Sequence, residues 1–559
     1  MILEGPGYRL ELAEDGLVAD LLSPGGEHWL RLRPLAALDT LEARDETLRV
    51  EPPRLVATGV VEVRRRSTVW EDAAVRFVRA DDGLEVRTSV RGRGALDTVR
   101  LLAGRSLLPG HPNGLLPSGT SLATLFTPNP EDPERVVRPA AEPAVVGVVG
   151  DSDPGRGHWF FTPAPLYLVL GHVGISVLGG VESLRFPQLR WEPSDRAFAL
   201  ALEYEGHTRV EGDFEAPSLL LTPGVGDPYR GLRAHRASLV ARGIVPPPAP
   251  RETPGWWREP IFCGWGAQCA RAAATGRRAL DFATQLEYDT YVDTLEREGV
   301  VPGTITIDDK WQATYGRNEP DTAKWPDLAG WIAKRHERGQ RVLLWWKAWD
   351  DEGLPPELCV RNQDGAAVGF DPSSPGARAE LEAIVTRLIG PDGLDADGLK
   401  IDFTARTPSG YGAASASGSW GIALLHELLR IVHDAAKAAK PDALLVTQTP
   451  HPSFVDVTDM IRLNDMIRLG DGAQSASVVP QMRHRAEVVR AACPELLIDT
   501  DDWAVPSLAA WREYLREKPS LGVPALYYAD ALDGSGERLA PEDYEALRET
   551  WSAWRTERT

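Results

Sequence analysis

Acidic residues close several apolar segments in the C-terminal half of this 559-residue chain. The segment GLKIDFT places Asp402 at the end of an apolar run, with Lys400 two residues before it. At the period of two of a β-strand, both side chains point to the same face, where the lysine would keep the aspartate ionised. An ionised carboxylate in a dry pocket suits nucleophilic attack on a sugar anomeric carbon. The alternative is a purely structural Lys–Asp pair at a strand end. The spacing alone favours neither the catalytic nor the structural interpretation.

A partner acid is predicted from the peptide DMIRL, which occurs twice almost in succession. The repeat offers Arg462 with Asp465, and Arg468 with Asp471. One of these carboxyl groups is a candidate general acid/base opposite Asp402. We choose Asp465 because it directly follows its predicted strand, and Asp471 is the alternative. The competing interpretation is a surface ion pair in a loop, which must hold for one of the two copies.

Further candidates for substrate binding come from three segments that end predicted strands. Adjacent carboxylates accept hydrogen bonds from vicinal hydroxyls, and an indole ring stacks on the face of a sugar. In LLIDTDDW, the acids Asp499, Asp501 and Asp502 either line the pocket rim or cap the next helix. The structural alternatives are an Asp-rich turn and tryptophans that only pack. The full candidate set is Asp308, Asp309 and Trp311 of TITIDDKW, Trp345, Trp346 and Lys347 of RVLLWWKAW, Lys400, Arg462 and Asp502.

Eight short apolar segments that alternate with helical patterns must position these residues. They are IFCGWGAQ (261–268), TITIDDKW (304–311), RVLLWWKAW (341–349), GLKIDFT (398–404), ALLVTQTP (443–450), DMIRLND (459–465), LLIDTDDW (496–503) and ALYYAD (525–530). Eight strand–helix units in about 300 residues are typical of a (β/α)₈ TIM barrel. A doubly wound open sheet is the alternative, but it would spread the acidic strand ends along an edge. A barrel brings them to one mouth.

The N-terminal part of the chain has a different pattern. Residues 1–244 show short alternating segments separated by Gly, Pro and Asp clusters, which is typical of an antiparallel β-sandwich. The Pro-rich stretch VPPPAPRETPG (245–255) reads as a linker, and the catalytic barrel is predicted over 256–559. Within the barrel, AELEAIVTRLIG places Leu381, Ile384, Val385 and Leu388 on one helix face, and Gly299 and Gly339 are expected to end two other helices.

Composition narrows the class of protein. The formal net charge of −20 disfavours nucleic acid as a partner. The sequence has no apolar run of about 18 residues, so no membrane partner is expected, and its start lacks a secretory pattern, which favours the cytoplasm. Four scattered cysteines and eleven histidines without an H-E-x-x-H motif predict neither a metal site nor a cofactor. The oligomeric state is left open, with a homo-oligomer as one option.

Taken together, IDDKW, the paired tryptophans, LKIDF and Arg-x-x-Asp resemble the retaining α-glycosidases of the α-galactosidase superfamily, which spans glycoside hydrolase families 27, 31 and 36. Family 36 is the most similar in layout, with its N-terminal β-sandwich before the barrel. The resemblance implies Asp402 as nucleophile and Asp465 as acid/base. It also implies sugar binding by Asp308, Asp309 and a strand-3 tryptophan, Trp345 or Trp346.

The sequence departs from this family pattern at three points. The arginine-to-acid spacing on strand 6 is three, whereas many relatives show four. Lys347 is not expected in an α-galactosidase and suggests contact with an anionic or unusual substrate. The usual C-terminal β domain is not expected, since the chain ends just after the eighth helix.

The predicted function is therefore a retaining α-glycoside hydrolase of carbohydrate metabolism, acting on oligosaccharides or glycosides by double displacement. A transglycosidase on the same site is the first alternative. A Schiff-base aldolase or lyase using Lys400 or Lys347 is the second. A non-catalytic sugar-binding protein is the third.

Overall fold

The N-terminal half of the protein is a large β structure. The computed structural model describes residues 1–106, 116–119, 124–130, 136–148, 160–194, 197–466, 468–469, 474–475 and 477–557. In this part of the chain, the N-terminal strands are Ile2–Gly5, Tyr8–Leu12, Ala19–Leu22, His28–Leu32, Ala37–Thr40, Glu46–Val50, Arg54–Ala57, Val60–Ser67, Asp72–Ala80, Gly83–Leu101, Arg105–Ser106, Ser118–Gly119, Thr124–Phe126, Val137–Pro139, Ala144–Gly147, Tyr167–Leu170, Val173–Leu178, Gln188–Ser194, Ala197–Glu215 and Ser218–Pro223.

These strands form one hydrogen-bonded network. Apart from the parallel pair of Arg105–Ser106 with Glu46–Thr47, the pairings are antiparallel. Two strands of 19 residues, Gly83–Leu101 and Ala197–Glu215, pair with different neighbours along their length. They thereby connect strands that would otherwise belong to separate sheets. The predicted antiparallel β structure is confirmed, but among the described residues it is a single continuous sheet rather than two separately bonded sheets of a sandwich.

The C-terminal half contains a ring of parallel strands, which confirms the predicted barrel. Barrel strands 1 to 8 are Ile261–Cys263, Thr304–Ile307, Arg341–Lys347, Gly398–Asp402, Leu444–Thr447, Met460–Arg462, Leu497–Asp499 and Ala525–Leu526. Each pairs in parallel with the next from strand 1 to strand 7, and strand 8 pairs with strand 1. A single parallel bridge between Asp499 and Val523 joins strands 7 and 8. All eight predicted segments contain a strand, although Trp265, predicted as strand, begins a helix.

Helices surround this ring. The α-helices of the described chain are Pro228–Ala241, Trp265–Thr275, Gln285–Arg297, Leu328–Glu337, Pro375–Ile389, Gly421–Ala439, Val478–Ala492, Leu508–Leu521 and Pro541–Thr556. Short 3₁₀ turns cover Val181–Ser183, Gly255–Arg258, Ala279–Phe282, Pro356–Leu358 and Pro452–Phe454, and two-residue to four-residue hairpin strands lie at Cys359–Arg361, Ala367–Phe370, Arg468–Leu469 and Gln474–Ser475.

Local sequence signals explain where several of these helices begin and end. Thr284 and Ser374 cap their helices by accepting a hydrogen bond from a first-turn amide. Gly299 and Gly339 follow two helices with φ of 73° and 75°, a left-handed conformation that favours glycine. The predicted apolar face of Pro375–Ile389 is buried as expected.

The connection between barrel strands 5 and 6 contains only the 3₁₀ turn Pro452–Phe454. The helix Pro228–Ala241, which follows the N-terminal sheet, packs against the helix Val478–Ala492 and is hydrogen-bonded to this connection. Arg236 of that helix donates to the carbonyl of Pro452 at 3.0 Å, and Tyr229 bonds to His484 at 2.8 Å. The boundary predicted at 245–255 stays a prediction. Among the helices of the described chain, none combines the length and the apolar composition that a membrane span requires.

Candidate active site

A cavity of about 450 Å³ opens at the C-terminal ends of the barrel strands. This is the end of a (β/α)₈ barrel at which catalytic residues are found. The walls carry four carboxylates, three cationic side chains and four aromatic rings. They are Trp265, Asp308, Asp309, Trp345, Lys400, Asp402, Phe403, Arg406, Arg462, Asp465 and Trp503.

Asp402 ends barrel strand 4 and faces this cavity. One carboxylate oxygen accepts from Arg462 at 3.2 Å and from the backbone amide of Phe403 at 2.8 Å. The other accepts from the indole N–H of Trp345 at 3.2 Å. Burial alone would raise the pKa of Asp402, but the charges of Arg462 and Lys400 and these hydrogen bonds outweigh it and lower the pKa. The carboxylate is thus held ionised and oriented, with lone pairs left over for an incoming group.

Lys400 does face the cavity, but its direct partner is not Asp402. Its ammonium group lies 2.6 Å from Asp308 of barrel strand 2 and 3.3 Å from the sulfur of Cys263 on strand 1. The thiol in turn donates to the same Asp308 oxygen at 3.0 Å. Strand periodicity gave the correct face, whereas the nearest acid comes from strand 2, two strands away in the ring. Lys400 therefore acts on Asp402 only at longer range, as the second of two cations after Arg462.

Asp309 is the second acid of strand 2 and has a different environment. It accepts from the hydroxyl of Tyr315 at 2.8 Å, and the charge of Lys347 also favours its ionised form. Burial outweighs both, and together with the charges of Asp308 and Asp402 it raises the pKa of Asp309 to about 7. A carboxyl group that changes protonation near neutrality can accept from or donate to a sugar hydroxyl.

Arg462, at the end of barrel strand 6, joins both halves of the site. Its Nη1 donates to Asp465 at 2.9 Å and to Asp501 at 2.8 Å, while its Nη2 donates to Asp402 and to the side-chain carbonyl of Gln448, each at 3.2 Å. The pKa of Asp465 is raised to about 7, because burial outweighs the attraction of Arg462, and Asp501 and Asp402 raise it further. One guanidinium thus contacts an ionised acid and an acid that holds its proton near neutrality.

The turn that carries Asp465 is fixed from two sides. Arg485, fully buried on the helix Val478–Ala492, donates from one nitrogen to the carbonyls of Leu463, Asn464 and Asp465 at 2.6 to 2.8 Å. Asn464, with φ of 68°, donates from its side-chain amide nitrogen to the backbone carbonyl of Phe160 at 3.0 Å. Phe160 precedes the N-terminal strand Tyr167–Leu170, so residues outside the barrel help to position the acid.

Four predicted substrate-binding residues lie outside the cavity wall. Asp502 is fully buried and accepts from Lys518, Trp511 and the amide of Tyr527, because the chain turns it to the opposite side from its neighbour Asp501. The other three are Trp311, Trp346 and Lys347. The indole of Trp311 donates to the carbonyl of Trp345, and Trp346 lies on the opposite strand face from Trp345. Lys347 pairs with Asp350 at 2.6 Å. Asp471 lies outside the described residues, as does the side chain of Arg468.

Sequence reasoning missed five residues of the site. Trp265 and Trp503 meet edge to face, with ring centroids 5.6 Å apart, and form one aromatic wall. Arg406 stacks on Phe403 at 4.2 Å, and Cys263 lies beside Lys400. The two tryptophans had a usable signal, since each lies within a predicted strand segment, Trp265 in IFCGWGAQ and Trp503 at the end of LLIDTDDW. The cysteine had none, because its role depends on neighbours from strands 2 and 4.

The part of the chain that the structure describes has no group of three His, Cys, Asp or Glu side chains arranged to hold a metal ion. A second cavity, of about 630 Å³, lies at the N-terminal ends of barrel strands 7 and 8, between them and the Pro-rich segment. Its wall contains prolines, aliphatic side chains and arginines, with Glu495 as its only carboxylate among the described residues. The carboxylates that could support acid–base chemistry therefore converge at the other end of the barrel.

No protein-family model matches the sequence, and no curated protein sequence matches it. Solved structures do resemble the fold. A GH31 family sulfoquinovosidase from E. rectale aligns over 98% of this chain and 82% of its own, with a TM-score of 0.63 and 9% identity. An α-galactosidase from Thermus thermophilus in complex with stachyose aligns over 86% of this chain and 98% of its own, with a TM-score of 0.53 and 16% identity. A GH31 α-xylosidase from a soil metagenome aligns over 100% of this chain and 84% of its own, with a TM-score of 0.53 and 11% identity. At these identities the likeness is one of fold.

Proposed function

We propose that this protein is a retaining α-glycoside hydrolase in which Asp402 is the nucleophile and Asp465 the general acid/base. The observation that carries the proposal is the pair of carboxyl groups held by Arg462 in one cavity, with their pKa values moved in opposite directions. Such a division between an ionised and a protonated carboxyl is what glycoside hydrolysis requires.

In the first step, an ionised oxygen of Asp402 attacks the anomeric carbon while the bond to the leaving oxygen breaks. Asp465 gives its proton to that leaving oxygen, so the product departs as a neutral alcohol. The hydrogen bonds from Trp345 and the amide of Phe403 keep the attacking carboxylate in one orientation. Orientation of this kind lowers the entropic cost of the attack.

In the second step, water attacks the anomeric carbon, the bond to Asp402 breaks, and Asp465 accepts a proton from the water. Asp402 carries no charge while it is bound to the sugar. Because the charge of Asp402 contributes to the raised pKa of Asp465, forming the intermediate lowers that pKa and turns the acid into a base. When Asp402 is released, its charge returns and Asp465 is again ready to hold a proton.

The substrate is proposed to be an α-linked sugar with free vicinal hydroxyls. Lys400, Asp308 and Asp309 offer both donors and acceptors at the strand ends, and Trp265 with Trp503 offers an apolar wall. The three neighbours described above are a sulfoquinovosidase, an α-galactosidase and an α-xylosidase. They therefore favour an α-glycosidase without favouring galactose, and membership of family 36 remains part of the proposal.

The site also bears on the alternatives. Transfer to a sugar acceptor uses the same two acids, so a transglycosidase remains the second candidate. A Schiff base needs a neutral lysine. Burial would favour the neutral form of Lys400, but the adjacent Asp308 reverses this and raises its pKa. Lys347 pairs with Asp350. Both contacts disfavour the aldolase or lyase.

A panel of nitrophenyl α- and β-glycosides tests this proposal, with Asp402→Ala as the inactive reference. We expect release of nitrophenol from at least one α-glycoside, loss of that activity in the variant, and an α-configured first product by NMR. An added sugar acceptor separates hydrolysis from transfer. Activity on β-glycosides alone, or full activity of the variant, contradicts the proposal.

A further inference from the structure

We propose that Asp501 is a positioning residue that holds Arg462 between the two catalytic carboxyl groups. By pairing with the guanidinium, Asp501 weakens the attraction between Arg462 and the ionised form of Asp465. The inference rests on the proposed function. It concerns a residue that does not line the cavity and that lies beside Asp502, the acid that sequence reasoning selected. Asp501 would touch neither substrate nor reacting atoms, and it would act only through the guanidinium.

The surroundings of Asp501 hold it in one orientation. It is fully buried, just beyond barrel strand 7, and its backbone has φ of 42°, which non-glycine residues seldom adopt. Its backbone amide donates to Asp499 at 2.9 Å, and one carboxylate oxygen accepts from the amide of Trp503 at 2.8 Å. The remaining oxygen accepts from Nη1 of Arg462 at 2.8 Å. The backbone thus presents this carboxylate to the guanidinium from a fixed point.

The same nitrogen of Arg462 serves the proposed acid. Nη1 lies 2.9 Å from Asp465 and 2.8 Å from Asp501, so the two acceptor oxygens are within about 6 Å of each other. Three carboxyl groups, those of Asp402, Asp465 and Asp501, share the single positive charge of Arg462. If all were ionised, the cluster would carry two uncompensated negative charges in a buried place. The electrostatic cost of burying these charges falls when one carboxyl group keeps a proton. Asp465 is the member of the three whose pKa is raised to about 7.

Other charges around Asp465 do not replace this role. Arg462, Asp402 and Asp501 contact it directly or through the shared guanidinium, and Lys400 acts at longer range. Asp499 lies behind Asp501 and does not bond to Arg462 in the described hydrogen bonds. Arg485 faces the backbone carbonyl of Asp465, and its guanidinium already serves two further carbonyls. Removing the charge of Asp501 would let Arg462 stabilise the ionised form of Asp465.

The test compares the pH dependence of kcat/KM in the full-length wild type and in Asp501→Asn. The substrate is the cleaved glycoside with a poor, alkyl leaving group, whose departure needs the acid. We expect the basic limb of the pH profile of kcat/KM to move to lower pH by about one to two units. This is the pKa change that a buried charge–charge interaction at this distance produces. The corresponding glycosyl fluoride needs no proton from Asp465, so its rate at neutral pH should change little.

Two further variants make the outcome decisive. Asp501→Glu keeps the charge and should leave the basic limb close to its wild-type position. Asp502→Asn removes an adjacent buried acid that pairs with Lys518, so it should lower the unfolding temperature without moving the limb. The position of a limb does not depend on how much enzyme folds, so partly recovered variants still give an answer.

An unchanged limb in Asp501→Asn, with wild-type activity intact, overturns the inference but leaves the proposed function standing. An equal loss of the alkyl glycoside and the fluoride activities in a folded Asp501→Asn, with the basic limb unmoved, also overturns it, because the substitution would then have disturbed Asp402 and left the pKa of Asp465 unchanged. An inactive wild type would instead refute the proposed function itself.

Discussion

Replacing the proposed acid by its neutral analogue should stabilise the protein while it impairs catalysis. In Asp465→Asn the side chain keeps its shape but loses the ionised form. Folding raises the pKa of Asp465 from 3.8 to about 7, so the folded state holds this proton more tightly than the unfolded state does. Through this group, the wild type therefore loses stability as pH rises from about 4 to about 7, and the variant lacks that contribution.

The size of the effect follows from the shift. One pH unit of difference between folded and unfolded pKa corresponds to about 1.4 kcal/mol, so a shift of about three units gives at most about 4 kcal/mol at pH 8. At pH 4 the variant and the wild type should have similar stability. Urea unfolding followed by tryptophan fluorescence at the two pH values measures the difference, as a higher midpoint for Asp465→Asn at pH 8 only.

Asp402→Asn is the matched control, because the same guanidinium contacts both acids. The pKa of Asp402 is lowered on folding, so its ionised form stabilises the folded state above the unfolded pKa, and this stability is lost as pH falls. Asp402→Asn should therefore lower the urea midpoint at pH 8 and differ less from wild type in acid. Shifts of the same sign for both variants at pH 8 would refute the division of roles between the two carboxyl groups.

Three further predictions concern other parts of the site. In the wild type, the basic limb of kcat/KM for alkyl glycosides should lie near pH 7, the raised pKa of Asp465; a limb above pH 9 would show that another group is the acid. Arg485→Met should slow cleavage of alkyl glycosides at least about tenfold more than cleavage of glycosyl fluorides, because the clamped turn orients only the acid; an equal loss for both substrates would mean that Arg485 supports the fold alone. Trp503→Ala should raise KM about tenfold with a smaller change in kcat, since an aromatic wall of the cavity is removed. Trp511→Ala removes a fully buried indole outside the cavity and should lower stability instead; steady-state kinetics and thermal unfolding distinguish the two.

Much of the barrel could be predicted from the sequence, because its signals are local. Apolar runs with an acid at the end, capping residues such as Thr284 and Ser374, and glycines after helices depend on a few neighbouring residues. The continuous character of the N-terminal sheet depends instead on which strands meet along Gly83–Leu101 and Ala197–Glu215. Such long-range pairings are not written in any one segment.

The candidate site shows the same limit. Periodicity predicted that Lys400 shares a strand face with Asp402, but its partner Asp308 comes from a strand nearly 100 residues earlier. Among the three acids of LLIDTDDW, a period of two relates Asp499 to Asp501 and separates both from Asp502. The period does not say which of these two faces meets the site, and sequence reasoning selected Asp502; the contact of Arg462 with Asp501 shows which side it is.

The most direct test of the account is chemical capture of the nucleophile. The protein is incubated with a fluorinated analogue of its preferred α-glycoside, whose activated leaving group departs quickly and whose glycosyl-enzyme hydrolyses slowly. Peptide mass spectrometry should then find one sugar on Asp402, and none on Asp402→Ala treated in the same way. A sugar attached to another residue, or rapid turnover that gives a β-configured first product without any adduct, would contradict the double-displacement mechanism at Asp402.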